Sequence, residues 1–278
     1  MIPNSDIKKQ IIKAVEEVKQ TNPMAGSITN SVTINFVANA QLAVGGSAAM
    51  VYLPDEGVFL AQAGGASYIN VGTLLPIYEK SLPLMAKTLY DNKKAWVLDP
   101  VAVGIGEMRT QLLQTFKKYK PSIIRGNASE IIALAGLWEL EGGTELSKVR
   151  GVDTTDEVRS AIPAAISLAR WTNGAVAVSG QIDLITDGSQ VAFSTGGSYL
   201  MTRITGAGCA LGGVMAVYSA VAAPFVAALA GTAVFNLAGK RAESKVEGPG
   251  SFQTVFIDEL YKASGVEIAD NEFTLEEV

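Results

Sequence analysis

Residues 95–130 read AWVLDPVAVGIGEMRTQLLQTFKKYKPSIIRGNASE. Two short apolar runs, Ala95–Leu98 and Ser122–Ile124, each end in a polar motif. The first is followed by Asp99-Pro100, the second by Arg125-Gly126-Asn127-Ala128-Ser129-Glu130. A run that is apolar at every position, without alternation, is the mark of a strand covered on both faces. Helices are expected at 107–119, between the two runs, and at 128–138, after the second. Such β-α alternation predicts a mostly parallel, doubly wound sheet. Ligands bind such a sheet at the carboxyl ends of its strands, where both polar motifs stand.

The same pattern continues outward. Further strands are expected at Ala48–Leu53, Tyr68–Val71 and Ala175–Val178, and helices near 33–44, 55–64, 76–92 and 154–172. Residues 182–186 and 190–194 read as a hairpin around Asp187-Gly188-Ser189, which adds antiparallel strands at one edge. Residues 5–20 read as an amphipathic helix with Ser5 as its cap and Ile7, Ile11, Val15 and Val18 on one face. Residues 204–239 hold no charged side chain, a length that invites a membrane span. They are rich in Ala and Gly and divided by Pro224, so two buried helices are the expected form and no membrane contact is expected. The polar loop Glu139–Arg150 is too short to divide domains. One domain is expected over residues 1–265, with 266–278 as an acidic C-terminal tail that is disordered from about Ile268.

Composition removes several classes of function. Hydrophobic residues make up 48% of the 278 and charged residues 18%, which excludes a disordered chain. The 22 basic and 27 acidic residues leave a net charge of −5, a poor field for gathering a nucleic-acid backbone. There is no histidine, so a Ser-His-Asp triad, His-ligated zinc and a His base are all excluded. One cysteine and no secretory signal favour the cytoplasm.

Two more polar motifs join the first two. Ser179-Gly180 follows the strand ending at Val178, and Thr205-Gly206-Ala207-Gly208-Cys209 opens the uncharged helical stretch. Gly206-Ala207-Gly208 before a helix is a candidate anion site, because glycine admits close backbone approach and the helix start presents free N–H groups. It is neither a Walker A loop, lacking Lys-Ser/Thr, nor a Rossmann fingerprint, whose acid should come about 20 residues on. The alternative is a tight turn before a closely packed helix. Asp99 and Glu130 are candidate Mg²⁺ acids, since magnesium takes one or two carboxylates together with phosphate oxygens. Equally, Asp99 can begin a loop and Glu130 can be a capping acid. Arg125 suits a phosphate or a surface ion pair. Cys209 stands at a helix start, where the dipole is expected to lower its thiol pKa, or it is a small buried hydrophobe. Met50 suits an apolar pocket or plain core.

These residues resemble the hydroxyethylthiazole kinase family of thiamine salvage, within the ribokinase-like superfamily. The resemblance covers about residues 20–263 and rests on Ile28-Thr29-Asn30, Asn35-Phe36, Ala38-Asn39, Met50, Asp99-Pro100-Val101, the 125–130 motif, Met201-Thr202-Arg203, Gly206-Ala207-Gly208-Cys209 and Gly248-Pro249-Gly250-Ser251-Phe252. It implies a three-layer α/β/α sandwich that transfers the γ-phosphoryl of ATP to the primary alcohol of 4-methyl-5-(2-hydroxyethyl)thiazole. It further implies a homotrimer with substrate pockets between subunits. Arg125 and Ser179 match the ATP-contacting residues, while Met50 and Gly206, with Asn30 beside them, match the acceptor side. Asp99 and Glu130 match the acids near Mg²⁺, and Cys209 matches the cysteine standing where related kinases carry a catalytic Asp. Gly206, Ala207 and Gly208 complete the expected catalytic loop through their backbone N–H groups.

Departures fall mainly on the acceptor side. The family's His-Cys before Ile-Thr-Asn is Gly26-Ser27, and its second His is lost in Val51-Tyr52-Leu53. Ala207 replaces a Thr, Ala102 a Gly, and Ser179 a Thr. Three rivals follow: a kinase of another small heterocyclic or sugar alcohol, a lyase of the same superfamily acting on a hydrated nicotinamide nucleotide, and a non-catalytic binder of nucleotide or thiazole.

Overall fold

A computed structural model describes residues 4–144 and 155–278. Its strands are β1 (Met24–Ile28), β2 (Ser47–Met50), β3 (Ala66–Asn70), β4 (Ala95–Asp99), β5 (Ile123–Asn127), β6 (Ala175–Ser179), β7 (Asp183–Thr186), β8 (Gln190–Ser194) and β9 (Phe273–Glu277). They form one sheet in the order β2-β1-β3-β4-β5-β6-β7-β8-β9. β2 through β6 pair in parallel, and β6 through β9 pair antiparallel.

The helices are α1 (Asn4–Thr21), α2 (Ile34–Ala43), α3 (Pro54–Ala63), α4 (Tyr78–Asp91), α5 (Glu107–Phe116), α6 (Ala128–Leu137), α7 (Thr155–Ser160), α8 (Ile162–Thr172), α9 (Ala207–Ser219), α10 (Pro224–Glu243), α11 (Pro249–Lys262) and α12 (Gly265–Ala269). Side chains alternate across a strand, so the sheet builds two cores. Tyr68, Val97 and Ile123 pack with α1, α2, α9, α10 and α11 on one face. Ile69, Leu98 and Ile124 pack with α3, α4, α5, α6 and α8 on the other. The result is the expected α/β/α sandwich with a mostly parallel centre. The 204–239 stretch forms α9 and most of α10, with Pro224 at the first turn of α10 and both helices buried nearly all round. No helix among the described residues is long and apolar enough to cross a membrane.

Three expectations change. β1 is a strand that composition hid, because its residues Met24-Ala25-Gly26-Ser27-Ile28 are mostly small rather than β-branched. The helix expected over 154–172 is interrupted at Ala161, where Pro163 opens α8, and residue 154 lies outside the described residues. The disordered tail is corrected. Ser264 and Glu267 form a capping box on α12, and β9 pairs along β8 from Ser194↔Phe273 to Gln190↔Glu277. Phe273 is buried, and pairing satisfies the backbone edge that β8 would otherwise expose. The loop expected at 139–150 runs into residues 145–154, outside the described ones.

Candidate active site

The parallel strands β3 to β6 end close together, β5 and β6 running two residues beyond β4, and polar residues near these ends form a row. Asn70 pairs with Asp99, and the register Leu98↔Ile124 sets Arg125 next along. Ser179 pairs with Asn127 at the end of β6. All four side chains lie on the face that carries α9, by the period-two rule. The separate motifs of the sequence therefore meet at one rim.

Asp99 is fully buried. Its Oδ2 accepts hydrogen bonds from Tyr68 Oη at 2.8 Å and Asn70 Nδ2 at 2.9 Å, and lies 3.5 Å from Arg125 Nη1. Its Oδ1 is buried with no hydrogen-bond partner among the described residues. Burial pushes the Asp99 carboxyl up to about 6, against the pull of Arg125 and with a further push from Glu130. Arg125 donates through Nη2 to Ser179 Oγ at 3.0 Å. Burial works against its charge, but the surrounding acids, Asp99 foremost, hold its pKa above the ordinary value.

Gly206 caps α9 with φ +89°, a left-handed conformation that a side chain resists, and a Cβ there would stand 2.6 Å from Thr33 Cγ2. A Cβ at Gly208 would stand 2.7 Å from Arg125 Cζ and closer still to both terminal nitrogens. The guanidinium thus lies against the start of α9, where a side chain at position 208 would force it to shift. The first intrahelical bond runs from Ala210 N to Gly206 O, so the N–H groups of Ala207, Gly208 and Cys209 face out of the helix.

Cys209 Sγ accepts from Asn70 Nδ2 at 3.3 Å and Asn30 Nδ2 at 3.4 Å. Burial, followed by the Asp99 charge, raises the thiol pKa. This corrects the expectation that the helix dipole would lower it: desolvation and a neighbouring carboxylate outweigh the dipole. Cys209 is a neutral thiol.

Of the two roles weighed for it, Glu130 fills that of a capping acid. It is the third residue of α6 and closes a capping box with Asn127. Its Oε2 accepts from Asn127 N at 2.9 Å and its Oε1 from Ala102 N at 3.2 Å, which ties the loop after β4 to α6 beside Asp99. Met50 ends β2, half-buried against the α9 side of the core and three strands from β4. Asn30 accepts from Thr33 N through Oδ1 at 3.1 Å and donates to Asn70 Oδ1 at 3.0 Å, which places it in the cluster.

A magnesium ion implied by the resemblance can be tested against these donors. No group of three or more His, Cys, Asp or Glu able to hold a metal occurs among the described residues. Two hard carboxylates do stand at the rim, and the orphaned Asp99 Oδ1 is a free acceptor. That donor set fits an ion held mainly by water and phosphate oxygens.

Sequence reading missed Asn70, Tyr68 and Arg109. Arg109 Nε donates to Val71 O at 2.9 Å, and its other nitrogens bond the carbonyls of Gly72 and Ile105, pinning the loops after β3 and β4 together. Asn70 did carry a signal: it is a polar residue ending an apolar run, like the four motifs that were noticed. Its place inside Tyr68–Val71 made it read as part of the strand.

Comparison with known proteins agrees with this geometry. Residues 15–265 match the family model described as the hydroxyethylthiazole kinase family. A hydroxyethylthiazole kinase of Bifidobacterium adolescentis is 50% identical over 273 residues, covering 95% of this chain and 93% of the relative. The solved hydroxyethylthiazole kinase of Pyrococcus horikoshii OT3 superposes with a TM-score of 0.85 at 29% identity, covering 97% of this chain and 99% of that one. A ribokinase-like superfamily protein from Enterococcus faecalis V583 shares the fold, at TM-score 0.58 and 15% identity over 88% of each chain. With its rim residues assembled and nearly its whole length matched, the chain belongs to the hydroxyethylthiazole kinase family.

Proposed function

We propose that this chain transfers the γ-phosphoryl group of ATP to the primary alcohol of 4-methyl-5-(2-hydroxyethyl)thiazole. The observation that carries the reading is Arg125 pressed against Gly208 at the start of α9, with Asp99, Ser179 and Cys209 around it. Phosphoryl transfer passes through a loose transition state, so alignment and charge neutralisation matter more than a strong base. Arg125 supplies a fixed positive charge in a buried setting. The N–H groups of Ala207, Gly208 and Cys209 supply donors for phosphoryl oxygens as charge shifts during transfer. The Cys209 thiol, too weak an acid to serve as a thiolate base, orients the acceptor hydroxyl. Met50 and Asn30 belong to the acceptor side, and Ser179 to the nucleotide side.

Asp99 and Glu130 would hold Mg²⁺. When bound, the ion neutralises phosphate charge. Residues 1–265 act as one kinase domain, to which β9 adds an edge strand. We place the chain in the cytoplasm, where ATP is abundant and a lone thiol stays reduced. Copies assemble as a homotrimer with sites between subunits. Support comes from Val32, Leu42, Leu53 and Phe59, all exposed and carried by elements flanking the edge strand β2.

A coupled ADP-release assay with the thiazole alcohol and Mg-ATP tests the reading. ADP formation that depends on the alcohol is expected, and no rate above background from folded protein removes it. One observation favours a second reading, a kinase of another small heterocyclic alcohol. At Gly26-Ser27, Ser27 is fully buried and takes a hydrogen bond from Gln41 Nε2 at 3.2 Å, where the family carries His-Cys. A panel of alcohols in the same assay separates the two.

A further inference from the structure

We propose that Asn70 is a positioning residue for the phosphoryl transfer, its side-chain amide fixing the Cys209 thiol and the Asp99 carboxylate in one alignment. This rests on the phosphotransfer reading above. Asn70 closes β3 and is fully buried on the α9 face. Its Oδ1 accepts from Gly72 N at 2.9 Å and Asn30 Nδ2 at 3.0 Å. The backbone donor fixes which end of the amide is oxygen, so the nitrogen end faces the rim. Nδ2 reaches Asp99 Oδ2 at 2.9 Å, Tyr68 Oη at 2.9 Å and Cys209 Sγ at 3.3 Å. One planar group therefore spans the carboxylate on β4 and the thiol on α9.

Asn30 reinforces the arrangement from the β1–α2 loop, donating to the same sulfur at 3.4 Å. Two amide donors thus meet the one sulfur. Packing alone does not require asparagine here. An apolar residue of the same shape would fill the volume, and a buried amide is stable only because every contact is satisfied. The residue type answers to geometry as well. Aspartate would set a second carboxylate against Asp99, glutamine is one methylene too long, and leucine keeps the shape without the donors.

The chain has one cysteine, so the infrared S–H stretch of the whole protein reports Cys209 alone. Asn70→Leu and Asn70→Ser are compared with wild type and with Ile69→Val, which perturbs the same strand on the opposite face. Both Asn70 variants should lower kcat about 10- to 100-fold, the scale of a misplaced reacting group. KM for Mg-ATP should stay within about 3-fold, since Asn70 makes no hydrogen bond to Arg125 or to the N–H groups that open α9. The S–H band should move in both Asn70 variants and hold in Ile69→Val. If Asn70→Leu does not fold, Asn70→Ser decides. A kcat no lower than that of Ile69→Val, a loss carried by KM for ATP, or an unmoved S–H band each overturns the proposal. Wild-type protein that makes no ADP with the thiazole alcohol overturns the activity reading instead, and the band then decides alone whether Asn70 holds the thiol.

Discussion

At the scale of single residues, the site sets charge against burial. Cys209 is held neutral by desolvation and by Asp99. A general base contributes about 10²- to 10⁴-fold, whereas loss of an orienting contact costs up to about 10²-fold. Cys209→Ala should therefore slow turnover about 10- to 100-fold without abolishing it. Folded Cys209→Ala that binds ATP but shows no turnover would indicate an essential thiol. Asp99 is pushed the same way, since its pKa stands near 6 in the folded chain and at 3.8 as a free side chain. Between those values the folded state keeps a proton that the unfolded chain has lost. Asp99 thus favours folding below the lower value, and that contribution is lost as pH rises through the upper one. In metal-free buffer, denaturant midpoints of the wild type should fall across this window relative to Asp99→Asn, whatever the absolute stability of the variant. A pH dependence shared by the two proteins would assign it to other groups.

At the scale of elements, α9 needs its glycines for two separate reasons. Gly206 sustains a positive φ, and Gly208 makes room for Arg125. Gly208→Ala should displace the guanidinium and lower kcat by about 10²-fold, while thermal stability changes little. A variant with wild-type kcat would show that Arg125 need not lie against the helix. The glycines and Arg125 were each legible in the sequence, but their contact was not, because Arg125 and Gly208 are joined only by folding. The same holds for Asn70 and Cys209, which lie on β3 and α9. The strands β3 to β6 could be read because burial on both faces makes them continuously apolar. β1 could not, since its small residues serve close packing rather than strand propensity. Nor could β9, whose glutamates suggest a solvated tail while Phe273 and Leu275 supply its inward contacts. Phe273→Ala should cost about 3 kcal/mol, read from chemical denaturation. A truly disordered end would make that substitution silent.

At the scale of the whole molecule, the sheet is asymmetric. One edge, β9, carries Glu276 and Glu277, charges that discourage further strand pairing. The other edge, β2, is short and lies among exposed apolar side chains. Phe59 on α3 is 64% exposed and Leu42 on α2 is 53% exposed, with Val32 and Leu53 in the adjoining loops. Isolated exposed apolar residues need no explanation, but four on the elements around one edge favour a protein partner. Met50 and Asn30, which we propose for the acceptor side, belong to that same end of the sheet, which makes a second copy of this chain the proposed occupant. The acceptor pocket would then be finished only in the assembly, whereas Arg125, Ser179 and the α9 start are complete within one chain. This division predicts separable effects. Leu42→Asp together with Phe59→Asp should yield monomers in sedimentation velocity, because a buried unpaired carboxylate at each position outweighs the contact it replaces. Those monomers should keep nucleotide binding within a few-fold of the wild type but lose most thiazole phosphorylation, since only the acceptor side is opened. Monomers with full thiazole activity would place the whole pocket within one chain, and an intact trimer would move the interface away from β2.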